Sequence, residues 1–392
     1  MKSTIEGPLS GVVVIDMTRV LAGPYAALLL AEMGARVIKV EPPRHGDDSR
    51  AIGPFFKTPS GTTKSGYFMS INRGKESIAL DLKAEGDRAI FEQLLARADV
   101  VLENYRGGTM EKLGFGWETL KAKYPRLVYA AVSGFGHTGP YATRPAYDMV
   151  VQAMGGIMSL TGHPGGEPTR VGTSIGDLTA ALYAALGIVT ALYDRKATGK
   201  GMKVDISMLD CQVAFLENAI ARYVATGQIP GPLGARHPSI APFAVYATKD
   251  GHIVITAGTD GLFARVAAVI GQPSLAHDPR FRTNHDRVEN ALALQEEIEA
   301  ALESHTSHEW LEKLEAAGVP HAPLNNVADV MVDPQVQARN MIVEALDPDL
   351  GPIRMQGNPI KLSAFEDPTT RGPAPDLDGD RAAILSWLAS KA

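Results

Sequence analysis

Asp177 stands in the stretch GTSIGDLTAALYAALG (172–187), a lone carboxylate at the head of a long apolar run. Two roles fit that placement. After a strand ending at Gly176, an aspartate at the start of a helix serves as an N-cap, its oxygen accepting from open backbone N–H groups. The same N–H groups and the helix dipole would hold the carboxylate ionised and able to attack an acyl carbon. They would also steady a developing oxyanion. Gly176 places no side chain in the way of an incoming group. From the residues alone, capping is the commoner role, and the two are compatible.

Other reactive side chains point to less. Cys211 is the single cysteine, which excludes an intrachain disulfide and a cysteine metal cluster within one chain. Val213, Ala214 and Phe215 follow it, so it reads as a small buried hydrophobe rather than a catalytic thiol. His305 and His308 share a helix boundary but lack a third ligand, so they read as surface histidines and no metal site is expected. Arg73, Lys75 and Lys112 taken singly are ordinary solvated charges.

The elements that must position Asp177 alternate between strand and helix. GVVVID (11–16) is a short β-branched strand, Pro24 suits the first turn of the helix after it, and VIKVE (37–41) is the next strand. The cycle recurs in IALDL (78–82), DVVLEN (99–104), LVYAAVSGFG (127–136) and MKVDISM (202–208), with helices between them near 84–98, 109–122, 147–160 and 178–196. Such alternation gives a mostly parallel sheet covered by helices on both faces. Strand, loop, helix and a strand ending in Glu41 imitate half of a Rossmann dinucleotide site. The loop Thr18-Arg19-Val20-Leu21-Ala22-Gly23-Pro24 has a single glycine, however, and bulky Leu21 stands where a pyrophosphate needs bare backbone. NAD binding is therefore not expected.

The 392 residues exceed what one core usually accommodates, so two domains are expected. GQIPGPLGARHPSIAP (227–242) is rich in Gly and Pro, as a linker or a mobile lid would be. A hairpin with Lys249-Asp250-Gly251 in its turn follows, then helices near 260–271, 284–304 and 307–317. The expected division is a large domain over 1–226, a linker and small α+β domain over 227–325, and a C-terminal segment over 326–392 that returns to the large domain. A net charge of −6 argues against nucleic acid as the main partner. The N-terminus lacks a secretory pattern, and the richest apolar run, 178–193, is short and interrupted by Thr179, Gly187 and Thr190. A cytoplasmic protein with no membrane partner is the expectation.

Many short motifs occur in one order: VLAGPYA (20–26), IKVEPP (38–43), INRGKESIALDLK (71–83), ENYRGG (103–108), GFGHTGP (134–140), PAYDMVVQAMGG (145–156), GTSIGDLTAALYAALG (172–187) and RKATGKGMKVDISMLD (195–210). Together they resemble the family III CoA-transferases, the CaiB–BaiF family, over essentially the whole chain. RVLAGP and the H-x-S-I-x-P segment at His237 are most similar to the branch that includes the succinyl-CoA:glutarate-type dicarboxylate enzymes.

The resemblance implies a Rossmann-like large domain plus a small α+β domain, in an interlocked homodimer. It implies Asp177 as nucleophile, forming an aspartyl anhydride and then an aspartyl-CoA thioester. Coenzyme A enters as part of the substrate, with no tightly bound cofactor and no metal. By position, the CoA-binding residues fall on Arg19, Leu21, Ala22, Arg73, Lys75, Asn104, Tyr105, Lys112 and Tyr147. A family arginine after the second strand is Pro42 here, and Leu21 replaces the glutamine of the formyl-CoA enzyme, which argues against formyl or oxalyl specificity. Arg50, Arg170 and His237, with Arg19, are the candidates for a distal carboxylate. Asp148 and Gln152 read as structural.

Two alternatives remain. An α-methylacyl-CoA racemase of the same family would need a histidine–aspartate pair, but the position of that histidine is Tyr147. A non-catalytic CoA-binding protein would not need Asp177.

Overall fold

Residues 5–390 are described in the computed structural model of the chain. Six short apolar segments form one parallel sheet: β1 (Val13–Asp16), β2 (Arg36–Glu41), β3 (Glu76–Ala79), β4 (Val100–Glu103), β5 (Val128–Ser133) and β6 (Lys203–Ser207). They lie in the order β3-β2-β1-β4-β5-β6. The order reverses between β1 and β4, which opens a crevice beyond their carboxyl ends.

Strand alternation sends successive side chains to opposite faces. Val14, Val100, Leu102, Val128, Ala130 and Val132 join one buried layer with Ala26, Ala27 and Leu30 of α1 (Ala22–Glu32). Ile15, Ile38, Val101, Tyr129 and Ala131 face the other way, onto Phe91, Leu94 and Leu95 of α2 (Glu85–Arg97). A sheet so covered on both faces explains why its strands are nearly continuous apolar runs.

On the first layer lie α3 (Asp148–Met154) and α4 (Ile175–Thr198). By length and composition α4 is apolar enough to cross a bilayer, which corrects the reading of 178–193 as too short. Its Ala180, Ala181, Ala184, Ile188 and Ala191 are fully buried in the layer with α1, the packing of a core helix.

Three expected helices are each broken in two. Gly114 at φ +80° separates Thr109–Leu113 from Trp117–Lys123, Gly156 at φ +85° precedes Ile157–Leu160, and Asn290 separates Asn284–Glu289 from Ala291–Leu302. A small antiparallel pair, Phe55–Lys57 with Thr63–Ser65, was not legible in the sequence.

The chain divides into two compact units. One takes residues up to Met158, Arg170–Gly227 and everything from Pro334 onward; the other takes Ser159–Thr169 and Gln228–Asp333. Residues 159–169 and 326–333 thus lie on the other side of the boundaries read from sequence. The second unit holds the antiparallel strands Phe243–Ala247, His252–Thr256 and His321–Pro323 over a core of Phe263, Phe281, Leu294, Ile298 and Trp310. In the first unit, Asp378 and Asp380 accept from the Ala79 and Ser77 N–H groups at 2.7 and 2.9 Å, closing the exposed edge of β3.

Candidate active site

The carboxyl ends of β1, β4, β5 and β6 enclose a cleft of about 220 Å³ within the first unit. Arg19, Leu21 and Ala22 line it after β1, Asn104 and Tyr105 after β4, Tyr147 ahead of α3, and Asp177 from the first turn of α4. Seven residues singled out from sequence therefore meet in one place, at the switch point of the sheet.

Asp177 is half-buried. It is not the N-cap. Ser174 holds that position, no side chain caps the helix, and the residues before it are irregular rather than a strand. Asp177 instead projects from inside the first turn. Gly176 has a different reason from the one read in sequence. A Cβ there would come within 2.7 Å of Val151 Cγ2 and 3.0 Å of Asp148 Oδ1, so glycine permits α3 and α4 to touch. The Gly176 N–H donates to Asp148 Oδ1 at 2.8 Å, Gln152 Nε2 donates to Asp148 Oδ2 at 2.7 Å, and Gln152 Oε1 accepts from the Val171 N–H. Asp148 and Gln152 thus anchor the start of α4. Burial, and then the nearby Asp148 charge, push Asp177 up to about 7. Burial and a like charge thus act against the ionised form that the sequence argument expected the helix donors to favour.

The loop after β1 is held residue by residue. Thr18 N and Oγ1 donate to Asp16 Oδ1, and Lys39 Nζ donates to Thr18 O at 2.6 Å. Asn104 Oδ1 accepts from the Arg19 N–H at 3.0 Å while its Nδ2 donates to Arg19 O at 2.7 Å. The Val20 N–H donates to Asp47 Oδ1 at 3.0 Å, fixing a β-branched residue at φ +68°. Lys39 in turn lies 2.8 Å from Asp47 Oδ2. Burial alone would raise the Asp16 carboxyl, but Lys39 and Lys75 hold it below its ordinary value.

This network corrects several sequence assignments. Lys75 is 0 % exposed, and its Nζ donates to Asp16, Pro24 O and Asn72 at 2.8–2.9 Å, so it presents no surface to a phosphate. Burial lowers it to about 8 despite Asp16 beside it. Arg73, 2 % exposed, is committed to Glu32 at 2.9 Å. Asn104 spends its side chain on Arg19 backbone rather than on a ligand. Lys112 is exposed but outside the cleft. Arg50 grips Glu41 with two bonds of 2.7 and 2.8 Å and lies 3.7 Å over the Phe68 ring, away from the cleft lining. Arg170 donates to Gly172 O and lies 3.7 Å from Asp148, also outside the lining. His237 belongs to the second unit, where its Nδ1 accepts from the Ser239 N–H.

Sequence reasoning missed Arg106, Arg144 and Ser133, which also line the cleft. Arg106 directly follows Asn104-Tyr105, and Ser133 ends a parallel strand, the position where ligands meet such sheets, so both carried a usable signal. No histidine lines the cleft among the described residues, so the acid–base pair of a racemase is not assembled there. Tyr67 stands near enough to feel Asp177; burial first, then that charge, pushes it up to about 12.

The profile of CoA-transferase family III matches residues 9–381. The chain belongs to CoA-transferase family III. As a CoA-transferase it has relatives that act on several acids. It is 49 % identical over 386 residues to the acetyl-CoA:oxalate CoA-transferase of Acetobacter aceti, covering 98 % of this chain and 97 % of that one. It is 39 % identical to the succinate–glutarate CoA-transferase of Agrobacterium fabrum, covering 97 % and 96 %. Among solved structures, a CaiB/BaiF family protein from Brucella suis superposes with a TM-score of 0.86 at 40 % identity, covering 98 % of this chain and 100 % of that one. The mixed α/β fold around a parallel sheet is thus that of the family.

Proposed function

We propose that this CoA-transferase moves coenzyme A from succinyl-CoA to a second dicarboxylic acid, with Asp177 as the covalent nucleophile. The observation that carries the reading is the position of Asp177 in the wall of the cleft that also gathers Arg19, Leu21, Ala22, Asn104, Tyr105 and Tyr147. An Asp177 oxygen attacks the thioester carbonyl carbon, the C–S bond breaks and CoA leaves as thiolate. The thiolate attacks the aspartyl carbonyl of the resulting anhydride, releasing the donor acid as carboxylate and leaving an aspartyl-CoA thioester. The acceptor carboxylate then attacks the aspartyl carbonyl and expels the thiolate, which attacks the acceptor acyl carbon and frees Asp177. No net proton is consumed, and thioester energy is carried through. Arg19, Arg106 and Arg144 on the cleft wall supply the positive charge that CoA phosphates and carboxylates require.

A second reading of the substrates, acetyl-CoA with oxalate, is favoured by the 49 % identical relative. Incubation with succinyl-CoA or acetyl-CoA in hydroxylamine, followed by peptide mass spectrometry, tests the nucleophile: modification of Asp177 is expected. An unmodified chain that still binds CoA would instead support a binding protein. A panel of dicarboxylic acids, read as new thioesters, separates the two substrate readings.

An interlocked homodimer is part of the proposal. It is supported by the apolar side chains Leu182, Leu186, Val189 and Tyr193, which α4 leaves exposed. Light scattering should return twice the 41.8 kDa chain mass.

A further inference from the structure

Glu103 closes β4, where the chain leaves the sheet for the loop that brings Asn104, Tyr105 and Arg106 to the cleft. Its side chain is buried, and its two oxygens serve different groups. Oε2 accepts from the Tyr105 N–H at 2.7 Å, and Oε1 accepts from the Tyr129 hydroxyl at 2.9 Å. His137 Nε2 stands 3.7 Å from Oε1, and no lysine or arginine is ion-paired with Glu103 among the described residues. Lys203 Nζ lies 3.0 Å from His137 Nδ1 and can only donate to it, so the ring proton sits on Nε2. Burial and the Lys203 charge hold that ring below its ordinary value, against the pull of Asp205 and Glu111, so it is neutral. Burial pushes the Glu103 carboxyl up to about 7, and Glu111 adds to the rise. The bonds from Tyr105 and Tyr129 and the more distant Lys203 charge act the other way.

We propose that Glu103 is a positioning residue for coenzyme A: through the Tyr105 N–H its carboxylate sets the wall on which Tyr105 and Arg19 meet the carrier. The inference rests on the CoA-transfer reading of the cleft. Arg19 Cζ lies 5.3 Å from the centre of the Tyr105 ring, and Asn104 grips the Arg19 backbone on both sides, so these residues move as one piece. Arg19 and Arg106 are exposed on this wall and offer the cations that phosphates need. A buried carboxylate without a bonded cation is costly to keep. What it supplies is a charge-assisted bond to the Tyr105 amide, roughly twice as strong as a neutral one. A proton on Glu103 removes that advantage, so the wall loosens as pH falls through 7. Asp177 projects from α4, a different element, so the effect falls on carrier binding rather than on the transfer step.

The test measures the affinity for free coenzyme A by calorimetry at pH 6 and pH 8.5, in wild type and in Glu103→Gln. At pH 6 about one wild-type molecule in ten keeps the carboxylate, so binding should be about five- to tenfold weaker than at pH 8.5. Glu103→Gln cannot titrate, and its affinities at the two pH values should agree within about twofold. Protonation of the CoA phosphate, and of Asp177, would show equally in both proteins. In Glu103→Ala, KM for succinyl-CoA and for acetyl-CoA should rise by the same factor, about tenfold, with kcat within about twofold of wild type, because the two donors share the carrier. Glu103→Gln carries the readout if the alanine variant does not fold. A wild-type pH dependence retained in Glu103→Gln, none in wild type, or a lower kcat at unchanged KM in Glu103→Ala overturns the role of Glu103 alone. A wild-type protein that binds no coenzyme A at either pH overturns the transfer reading and this role together.

Discussion

Asp148 Oδ1 accepts the Gly176 N–H at 2.8 Å, and so a second carboxylate is fastened one residue ahead of Asp177. The bond does two things at once. It fixes the first turn of α4, and it holds a like charge close enough to raise Asp177. Asp148→Ala should therefore lower the pH at which Asp177 ionises. It should also destabilise the protein by about 1–3 kcal/mol, because Gly176 and Gln152 lose their buried acceptor. Urea unfolding and the pH–rate profile together check both effects. A profile unmoved by the substitution would leave burial as the whole cause.

The transfer chemistry needs the carboxylate form of Asp177, and that group titrates at about 7. Single-turnover acylation should rise about tenfold per pH unit below 7 and level off above it. The profile of acyl-Asp177 formation from pH 5 to 9, read by rapid quench, is the check. A flat profile from pH 5 would mean that the substrate complex keeps Asp177 ionised.

The same shift sets the pH dependence of stability. In the unfolded chain the carboxyl ionises near pH 4, while in the folded protein it ionises near 7. Its folded pKa is raised, so the protein is penalised progressively as pH climbs from about 4 to 7 and by a constant amount above. Asp177→Asn should match wild type at pH 4 and exceed it by about 1–3 kcal/mol at pH 8. It should also show no turnover. Thermal melts of both proteins at the two pH values decide the point.

Lys75 distinguishes burial from ligand contact. Its removal as Lys75→Met leaves Asp16 short of a buried partner, and a loss of about 3–5 kcal/mol is expected. If enough folded protein survives at low temperature, its KM for the acyl-CoA should be close to that of wild type. A KM raised tenfold without loss of stability would restore a direct role in binding CoA.

The sequence made the sheet legible because its strands are short, β-branched and set off by helices of ordinary period. Asp177, Arg19, Asn104, Tyr105 and Tyr147 were found through ordered motifs, and the fold brings them to one cleft. What escaped were facts of burial and partnership. Nothing in N-R-G-K says that Lys75 is enclosed between Asp16 and Asn72, while Arg106, in the nearby Y-R-G-G, lines an open wall. Arg50 looked like a carboxylate fork and is one, but for Glu41 of its own chain. The pKa of Asp177 was misjudged because the helix dipole can be read from position, whereas desolvation and Asp148 arise from packing between segments 29 residues apart.

The clamped loop at Val20 bears on how such a protein can change over generations. Asp16, Lys39, Asp47 and Asn104 each hold a particular backbone atom of that loop or the charge that does so, and a single replacement strands its neighbours. Arg106, Arg144 and Tyr147 border the same opening with their side chains in solvent, so replacing one of them strands no buried partner and the fold itself does not forbid it. Selection should accordingly reach the second set, within what the shared CoA carrier tolerates, and leave the first untouched.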